Sequence, residues 1–548
     1  LVDKEGADDA VHFIGVDVGT ASARAGVFDR SGALLGSASH PIRIWREGPD
    51  HVEQSSDDIW SAVAASVRTA RDAAGIAPEQ VAGIGFDATC SLVVLDRQER
   101  PLAVNAEGEN ARNVIVWMDH RATPQAKRIN ATGARVLDYV GGRISPEMQT
   151  PKLLWLAEEL PATFAGAGHF MDLTDFLTWR ATGSLSRSTC TVTCKWTYLA
   201  HENRWDDDFF REIGLGTLVD EGFIRIGNRI SPPGAAIPEG LSVAAARDLG
   251  LVPGTAVAMG LIDAHAGALG TIGADGVPGK LEQRLAYVFG TSACTLNVSA
   301  APMFVPGVWG PYYSALVPGL WLSEGGQSAA GAAIDHVVRQ HACAAAASAK
   351  AEAAGKSLTG WLEGRAVELL RTIPLARLLG EVHVVGDFLG NRAPFADPDM
   401  RGIIAGLDMA EDETSLTRLY AAAVISVGYG LRQIVETLRR QGADPETVVV
   451  SGGAGRSALV RQFLADACGL PVSTCASPEP VLLGAAMTAA VAAGAVPDLQ
   501  TAMHTLSNLG ETILPAPEYR TLHERRYRAF VTLQEAGRSL RACDEEMP

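Results

Sequence analysis

Asp17 stands two residues before a Gly19-Thr20 turn in GVDVGTASARAGVFD (residues 15–29). A near copy of that turn returns as Gly290-Thr291-Ser292 in YVFGTSACTLNVSA (residues 287–300). Each turn joins two β-favouring runs through small residues. Glycine lets the backbone approach an anion closely, and free N–H groups beside a Thr or Ser hydroxyl bind phosphate oxygens. A carboxylate just before such a turn, here Asp17, is placed to hold Mg2+ through water. Taken singly, each hairpin reads as an ordinary tight turn. Taken together, the pair points to one nucleotide gripped from two sides.

Asp263 is the second chemical group. It heads a run of small helix formers in GLIDAHAGALG (residues 260–270). Phosphoryl transfer to an alcohol needs a group that takes the hydroxyl proton, and a positioned Asp does this in kinases. The plainer reading is a helix cap, and His265 is assigned no role. Other nucleotide loops fail. GADGVPGK (residues 273–280) has the wrong spacing for a P-loop and is followed by Leu281. GAGRSA (residues 453–458) fits the dinucleotide pattern, but LPVSTCAS stands where its acidic partner, about 20 residues on, belongs.

The elements that must carry these residues are legible in outline. The first run is a strand, a turn at Gly19-Thr20 and a second strand. VAGIGFDATCSLVVLD (residues 81–96) reads as strand, small-residue turn, strand, and DIWSAVAASVRTARDAAG (residues 58–75) before it has helical apolar spacing. Strands and helices then alternate to residue 270, the pattern of an α/β layered domain. Residues 273–280 mark a boundary. The second half opens on a similar hairpin. It later offers a strand, a Gly-rich turn and a helix with Leu459, Val460, Phe463, Leu464 and Ala467 on its apolar face, closing at Cys468-Gly469. The Ala-rich stretch 342–354 is helical or loosely ordered. The two similar openings hint at internal duplication.

Composition narrows the class. With 548 residues the chain holds several domains at about 100–200 residues each. A formal charge of −17 and the lack of a long Lys/Arg run exclude nucleic acid as a partner. The eight cysteines form no CxxC pair. Cys190 and Cys194 mimic a metal spacing, but no second Cys/His pair follows, so free thiols in a reducing cytosol are expected. The first residues, LVDKEGADDA, lack the pattern of a signal peptide. VLLGAAMTAAVAAGAV (residues 481–496) is too short for a membrane span and reads as a buried helix. Residues 285–323 are interrupted by Gly, Pro and polar residues and are no span either. A cytoplasmic protein without a membrane partner is expected.

Over residues 13–540 the chain resembles the FGGY carbohydrate kinases. The anchors are GVDVGTASARAGVFD, WMDHRA (residues 117–122), GLIDAHAG, FGTSAC, GDFLGNRAPFADPDMRG (residues 386–402) and SGGAGRS (residues 451–457). The resemblance implies an α/β fold of two duplicated actin-like, ribonuclease H-like ATPase domains, residues 11–272 and 281–540, around an interdomain cleft. It implies ATP and Mg2+ as cofactors, a small-molecule sugar as partner, and a homodimer by analogy. Within the family the likeness is nearest to pentulose kinases, D-ribulose first among substrates, on FDATCSLVVLD, RSTCTVTCKWTYL (residues 187–199) and WLSEGGQSAAGAAIDH (residues 321–336). L-ribulose, ribitol and xylulose are the alternatives, and an actin-fold ATP-binding regulator is the non-enzyme alternative.

The same resemblance implies roles. Asp17, Gly19 and Thr20 match the first phosphate turn, with Asp17 toward the metal, and Gly290, Thr291 and Ser292 match the second. Gly452, Gly453 and Ala454 match an adenosine turn, with Arg456 and Ser457 beside it. Asp263 matches the catalytic base. Lys195, Asp263 and Glu324 match sugar contacts, Gln327 adds one, and Cys90 and Ser91 lie where the backbone nears the substrate. Each has a plainer reading: a surface strand for Lys195, a helix cap for Glu324. Asp119 and Arg121 either brace the site as an ion pair or face the cleft. The loop 391–402 is expected to be structural, and a hinge is expected over residues 270–280.

Overall fold

The computed structural model describes residues 11–48 and 50–545; the leader expectation rests on residues outside these. Strands β1 (His12–Val18), β2 (Ser22–Phe28) and β3 (Leu34–Pro41) form an antiparallel meander. Helix α1 (Ser56–Ala74) returns the chain so that β4 (Val81–Ala88) lies parallel to β1. Ser55 caps α1 by accepting from the Asp58 N–H, and Gly75 closes it at φ 68°. Side chains alternate across β1. Ile14, Val16 and Val18 join the core that holds Ile59 and Val63 of α1. Phe13 joins another core, on the face that Gly15 and Asp17 share. The short strands β5 (Ala236–Ile237), β6 (Ala256–Ala258) and β7 (Leu261–Ile262) complete the sheet in the order β5-β6-β4-β1-β2-β3, with β7 paired at the end of β4.

The second half repeats this plan. Strands β8 (Arg284–Phe289), β9 (Ala293–Ser299), β10 (Trp309–Tyr313) and β11 (Trp321–Gln327) are followed by β12 (Thr447–Gly452), β13 (Val472–Cys475) and β14 (Leu509–Ile513). Their order is β10-β11-β9-β8-β12-β13-β14, with β8 parallel to β12 as β1 is to β4. The duplication hinted at by two hairpins therefore extends to the central strands, β3-β2-β1-β4-β6 matching β11-β9-β8-β12-β13, while the edges differ. The run 81–96 does contain two strands, but they part company. β4 stays in the first sheet, whereas Leu92–Asp96 enters a separate five-stranded sheet.

Three helices matter for the site: α2 (Thr189–Lys195), α3 (Asp263–Ile272) and α4 (Gly331–Arg339). Two more, α5 (Ala458–Cys468) and α6 (Pro480–Ala492), end near Gly469 and Gly494, as the sequence predicts for the first of them. The stretch 342–354 is helical over Ala344–Ala353. Helices α3 and α6 are exchanged between the halves. α3, from the first half, packs on β8, and α6, from the second, packs on β1 and β4. The apolar run at 481–496 is thus a buried helix up to Ala492 and an exposed turn beyond it, and no helix among the described residues is long and apolar enough to cross a membrane.

Glycine makes that exchange sterically feasible. A Cβ at Gly15 would lie 1.9 Å from the Leu482 carbonyl oxygen, and one at Gly484 would lie 1.9 Å from that of Ala266. Gly270 likewise packs against Pro480 within α3, and the chain leaves that helix only at Gly273, inside the stretch expected to hold a hinge. Gly484→Ala is expected to destabilise the protein by about 1–3 kcal/mol through overpacking, seen as a lower thermal midpoint. Gly364 has open space around its missing Cβ inside the helix Leu358–Leu370. Gly364→Ala should leave the midpoint unchanged or raise it.

Candidate active site

Three carboxylates meet where parallel strands end. Asp17 and Asp87 are paired in register on β1 and β4. β7 pairs Leu261 with Asp87, which puts Asp263, the first residue of α3, beside them. Asp87 is fully buried, and neither of its oxygens has a hydrogen-bond partner among the described residues. Burial, and then the charge of Asp17, hold its carboxyl well above the usual range. Asp263 is pushed up to about 6, first by burial and then by Asp17, against the opposing pull of the Ala264 N–H, His265 and Lys195. Asp17 is compensated instead by Arg24, whose Nε donates to its Oδ2 at 2.8 Å and whose Nη1 reaches Glu479 at 2.8 Å.

A cavity of about 350 Å³, the size of a small-molecule site, is lined by Asp17 and Asp263, with Asp87 sealed beside them. Both Gly-Thr turns line it, through Gly19 and Thr20 on one side and Gly290, Thr291 and Ser292 on the other. The first turn is closed by the Gly19 N–H donating to Ser22 O at 3.0 Å, the second by the Gly290 N–H donating to Ser292 O at 2.8 Å. Trp117 braces the first, its Nε1 donating to Thr20 Oγ1 at 3.0 Å. The second sits on the start of α4, whose Gly331 N–H donates to Gly290 O at 3.0 Å.

The opposite wall is charged. Lys195, at the end of α2, is buried with its Nζ 3.5 Å from Glu324 Oε2 and 4.6 Å from the centre of the Trp309 ring. Burial would push Glu324 up, but Lys195, His265 and Arg392 outweigh it and hold the carboxyl at about 2. Lys195 is a cleft residue at the end of a buried helix rather than on a surface strand, and Glu324 lies within β11 rather than capping a helix. Cys90 also faces the cavity.

Other sequence candidates sit elsewhere. Ser91 is buried and accepts from the Trp117 N–H at 3.1 Å. Gln327 does not line this cavity: its Oε1 accepts from the Tyr287 hydroxyl at 2.5 Å and its Nε2 donates to Val427 O at 3.1 Å. Gly452 and Gly453 lie exposed at the end of β12, with Ala454 in the turn that follows and Arg456 exposed beyond it. Ser457 caps α5 and donates to Glu363 Oε1 at 2.7 Å. Asp119 and Arg121 form a buried ion pair at 2.8 Å that also holds Glu53, so they brace the fold and do not face the cleft.

Sequence reasoning missed Arg24, Glu147, Trp309 and Arg392, which line the cavity, and Asp87, buried beside Asp17. Asp87 carried a readable signal, since Gly15-x-Asp17 recurs as Gly85-x-Asp87. Arg392 lies in the loop expected to be structural, yet its side chain lines the cavity 5.4 Å from the Trp309 ring.

A buried acid with a raised pKa costs stability above its unfolded pKa of about 4, and the cost grows with pH up to the folded pKa. Without added divalent cation, Asp87→Asn is therefore expected to raise the thermal midpoint, and more at pH 8 than at pH 5. An equal or lower midpoint at pH 8 would show that Asp87 is compensated.

Comparison with known proteins follows the same outline. The family profile "FGGY family of carbohydrate kinases, N-terminal domain" matches residues 12–270, and its C-terminal counterpart matches residues 285–493. The chain is 46% identical over 534 residues to the human "FGGY carbohydrate kinase domain-containing protein", covering 96% of each. It is 38% identical to a D-ribulokinase of Saccharomyces cerevisiae, over 85% of this chain and 69% of that one. A xylulose kinase structure from Rhodospirillum rubrum superposes with a TM-score of 0.78 at 23% identity, over 96% of this chain and 99% of that one, which speaks to the fold alone.

Proposed function

The chain belongs to the FGGY family of carbohydrate kinases and is an enzyme, and from that premise we propose that it transfers the γ-phosphoryl group of ATP to the terminal hydroxyl of a pentulose, turning D-ribulose into D-ribulose 5-phosphate. The observation that carries this reading is one cavity lined by both Gly-Thr turns, by Asp263 and by the Lys195–Glu324 pair. The family assignment and the presence of all three polar residues stand against a non-catalytic regulator.

Each part has a task set by its chemistry. The backbone of the two turns cradles phosphate oxygens from opposite sides. Lys195 donates to sugar hydroxyls and Glu324 accepts from them. Asp263, ionised above about pH 6, takes the proton from the attacking hydroxyl as its oxygen bonds to phosphorus and the bond to the departing ADP breaks. The carboxylate donors suit a hard cation, and the two unpartnered oxygens of Asp87 leave capacity for one. Asp17 and Asp87 would hold Mg2+, which when bound would neutralise phosphate charge. Placing the hydroxyl between two lobes also excludes water, the competing acceptor. The eight free thiols support the reducing cytosol as the place of action.

Preference for D-ribulose rests on the yeast relative's name and on the sequence likeness already described. ADP release with Mg-ATP across D-ribulose, L-ribulose, ribitol, D-xylulose and glycerol tests it. Preference for D-ribulose is expected. Preference for another polyol would keep the kinase and replace the sugar.

Asp263→Ala is expected to abolish turnover and leave ATP binding within about twofold, because the base acts only in the transition state. In the wild type, kcat/KM should fall as pH drops through about 6, as Asp263 takes up a proton. Substantial activity of the variant, or a flat profile from pH 7 to pH 5, would remove Asp263 as the base.

A further inference from the structure

Behind the Lys195–Glu324 pair lies a buried group that the transfer step does not use. Cys190 and Cys194 on α2 and His265 on α3 bring one ligand-type atom each within 4.8 Å of one another, all fully buried. The contact at its centre is direct, with Cys190 Sγ 2.9 Å from His265 Nδ1. A tetrahedral zinc ion would hold sulfur and nitrogen about 3.5 Å apart. The arrangement is therefore a hydrogen-bonded sulfur–imidazole pair, closer together than two ligands of one tetrahedral zinc. The Ile262 N–H also donates to the same sulfur, at 3.5 Å.

The other edge of the ring points toward the sugar wall. His265 Nε2 lies 3.5 Å from Glu324 Oε2, an ion-pair distance, and neither atom has a hydrogen-bond partner among the described residues. Asp263, two residues earlier on α3, faces the cavity, whereas His265 is turned roughly 200° around the helix and is sealed from solvent. A continuous chain results: Cys190, His265, Glu324, Lys195. Its two ends lie on α2, the imidazole on α3, and the carboxylate on β11 of the other lobe. The charged groups around the ring are Cys190 and Glu324 in contact, with Asp263, Lys195 and the Cys194 thiol close by. Burial pushes the imidazole down, but Cys190 and Glu324 outweigh it and hold it up at about 10. A protonated ring can donate from both nitrogens.

We propose that His265, oriented by Cys190, is a positioning residue for sugar binding: it holds the Glu324 carboxylate across the lobe boundary in the orientation that accepts from the sugar hydroxyls. The proposal rests on the reading of the cleft as a sugar site. Lys195 and His265 approach the same oxygen, Oε2, at 3.5 Å each and from different helices, so together they fix the direction in which that oxygen lies. The ring can do this because its far edge is pinned by the Cys190 sulfur. Cys190 is thus explained without a redox or metal role.

Two variants separate this from mere packing. Glutamine places its amide near the position of Nε2, and asparagine near that of Nδ1. In His265→Asn the contact to Glu324 is lost, and the sugar KM is expected to rise about tenfold or more, the scale of a lost hydrogen bond to a charged group, with the ATP KM unchanged. In His265→Gln the Glu324 contact is kept, and the sugar KM should return to within about threefold of the wild type. Equal sugar KM values in the two variants would overturn the proposal, as would values in both within about twofold of the wild type. Should His265→Asn lose cooperative melting, Cys190→Ala decides: it leaves the imidazole in place but unpinned, and a sugar KM no different from wild type would equally refute the idea. The wild-type control distinguishes the layers. Without pentulose or polyol turnover the sugar-site reading fails and takes this inference with it; with turnover, a flat variant series removes the inference alone.

Discussion

Asp17, Asp87 and Asp263 are gathered at the ends of parallel strands in a part of the molecule that water reaches poorly. Two unit charges 4 Å apart at an effective dielectric near 20 interact by about 4 kcal/mol, which is a large share of the 5–15 kcal/mol that stabilises a typical domain. Such a cluster survives only if some members stay neutral or find cations. The structure uses both. Arg24 faces Asp17, while Asp87 and Asp263 have raised pKa values. A raised pKa is also what a general base needs to accept a proton near neutrality. The cost in stability and the capacity for chemistry arise from the same crowding.

The two lobes are not simply neighbours. Each sends a helix onto the sheet of the other, α3 onto β8 and α6 onto β1 and β4, and the backbones approach so closely that side chains are excluded at Gly15 and Gly484. Asp263 begins one of these helices, and Glu479, which reaches Arg24, directly precedes the other. The positions of Asp263 and of the carboxylate that anchors Arg24 are therefore both set by the exchange. The same logic governs the charged wall of the cavity, where Glu324 comes from one lobe and Lys195 and His265 from the other. Function at the cleft depends on the lobes holding their relative position.

The nearest polar residue in sequence is not always the one that reaches the cavity. Gln327, three residues beyond Glu324 on the same strand, is held by Tyr287 and Val427, whereas Arg392, far along the chain, reaches the cavity. Strand alternation accounts for the first. Residues 324 and 327 are an odd number apart on β11, so their side chains leave opposite faces of the sheet. The second comes from a loop whose own sequence shows no periodicity that would aim a side chain.

What the sequence by itself determined is what short-range physics dictates. The Gly-Thr turns must be tight because only small residues occupy them. Helix α5 must end at Gly469 because its apolar period stops there and glycine accepts the left-handed φ of 72°. The tertiary structure alone decided which charges share a cavity. Asp87 became part of the site through strand register, Ser457 was claimed as a helix cap, and Asp119 with Arg121 became a buried brace. Cys190 and His265, separated by 75 positions, met only when α2 and α3 packed. Electrostatic partnership depends on distance through space and on local burial, and neither quantity is defined until the two lobes have folded around each other.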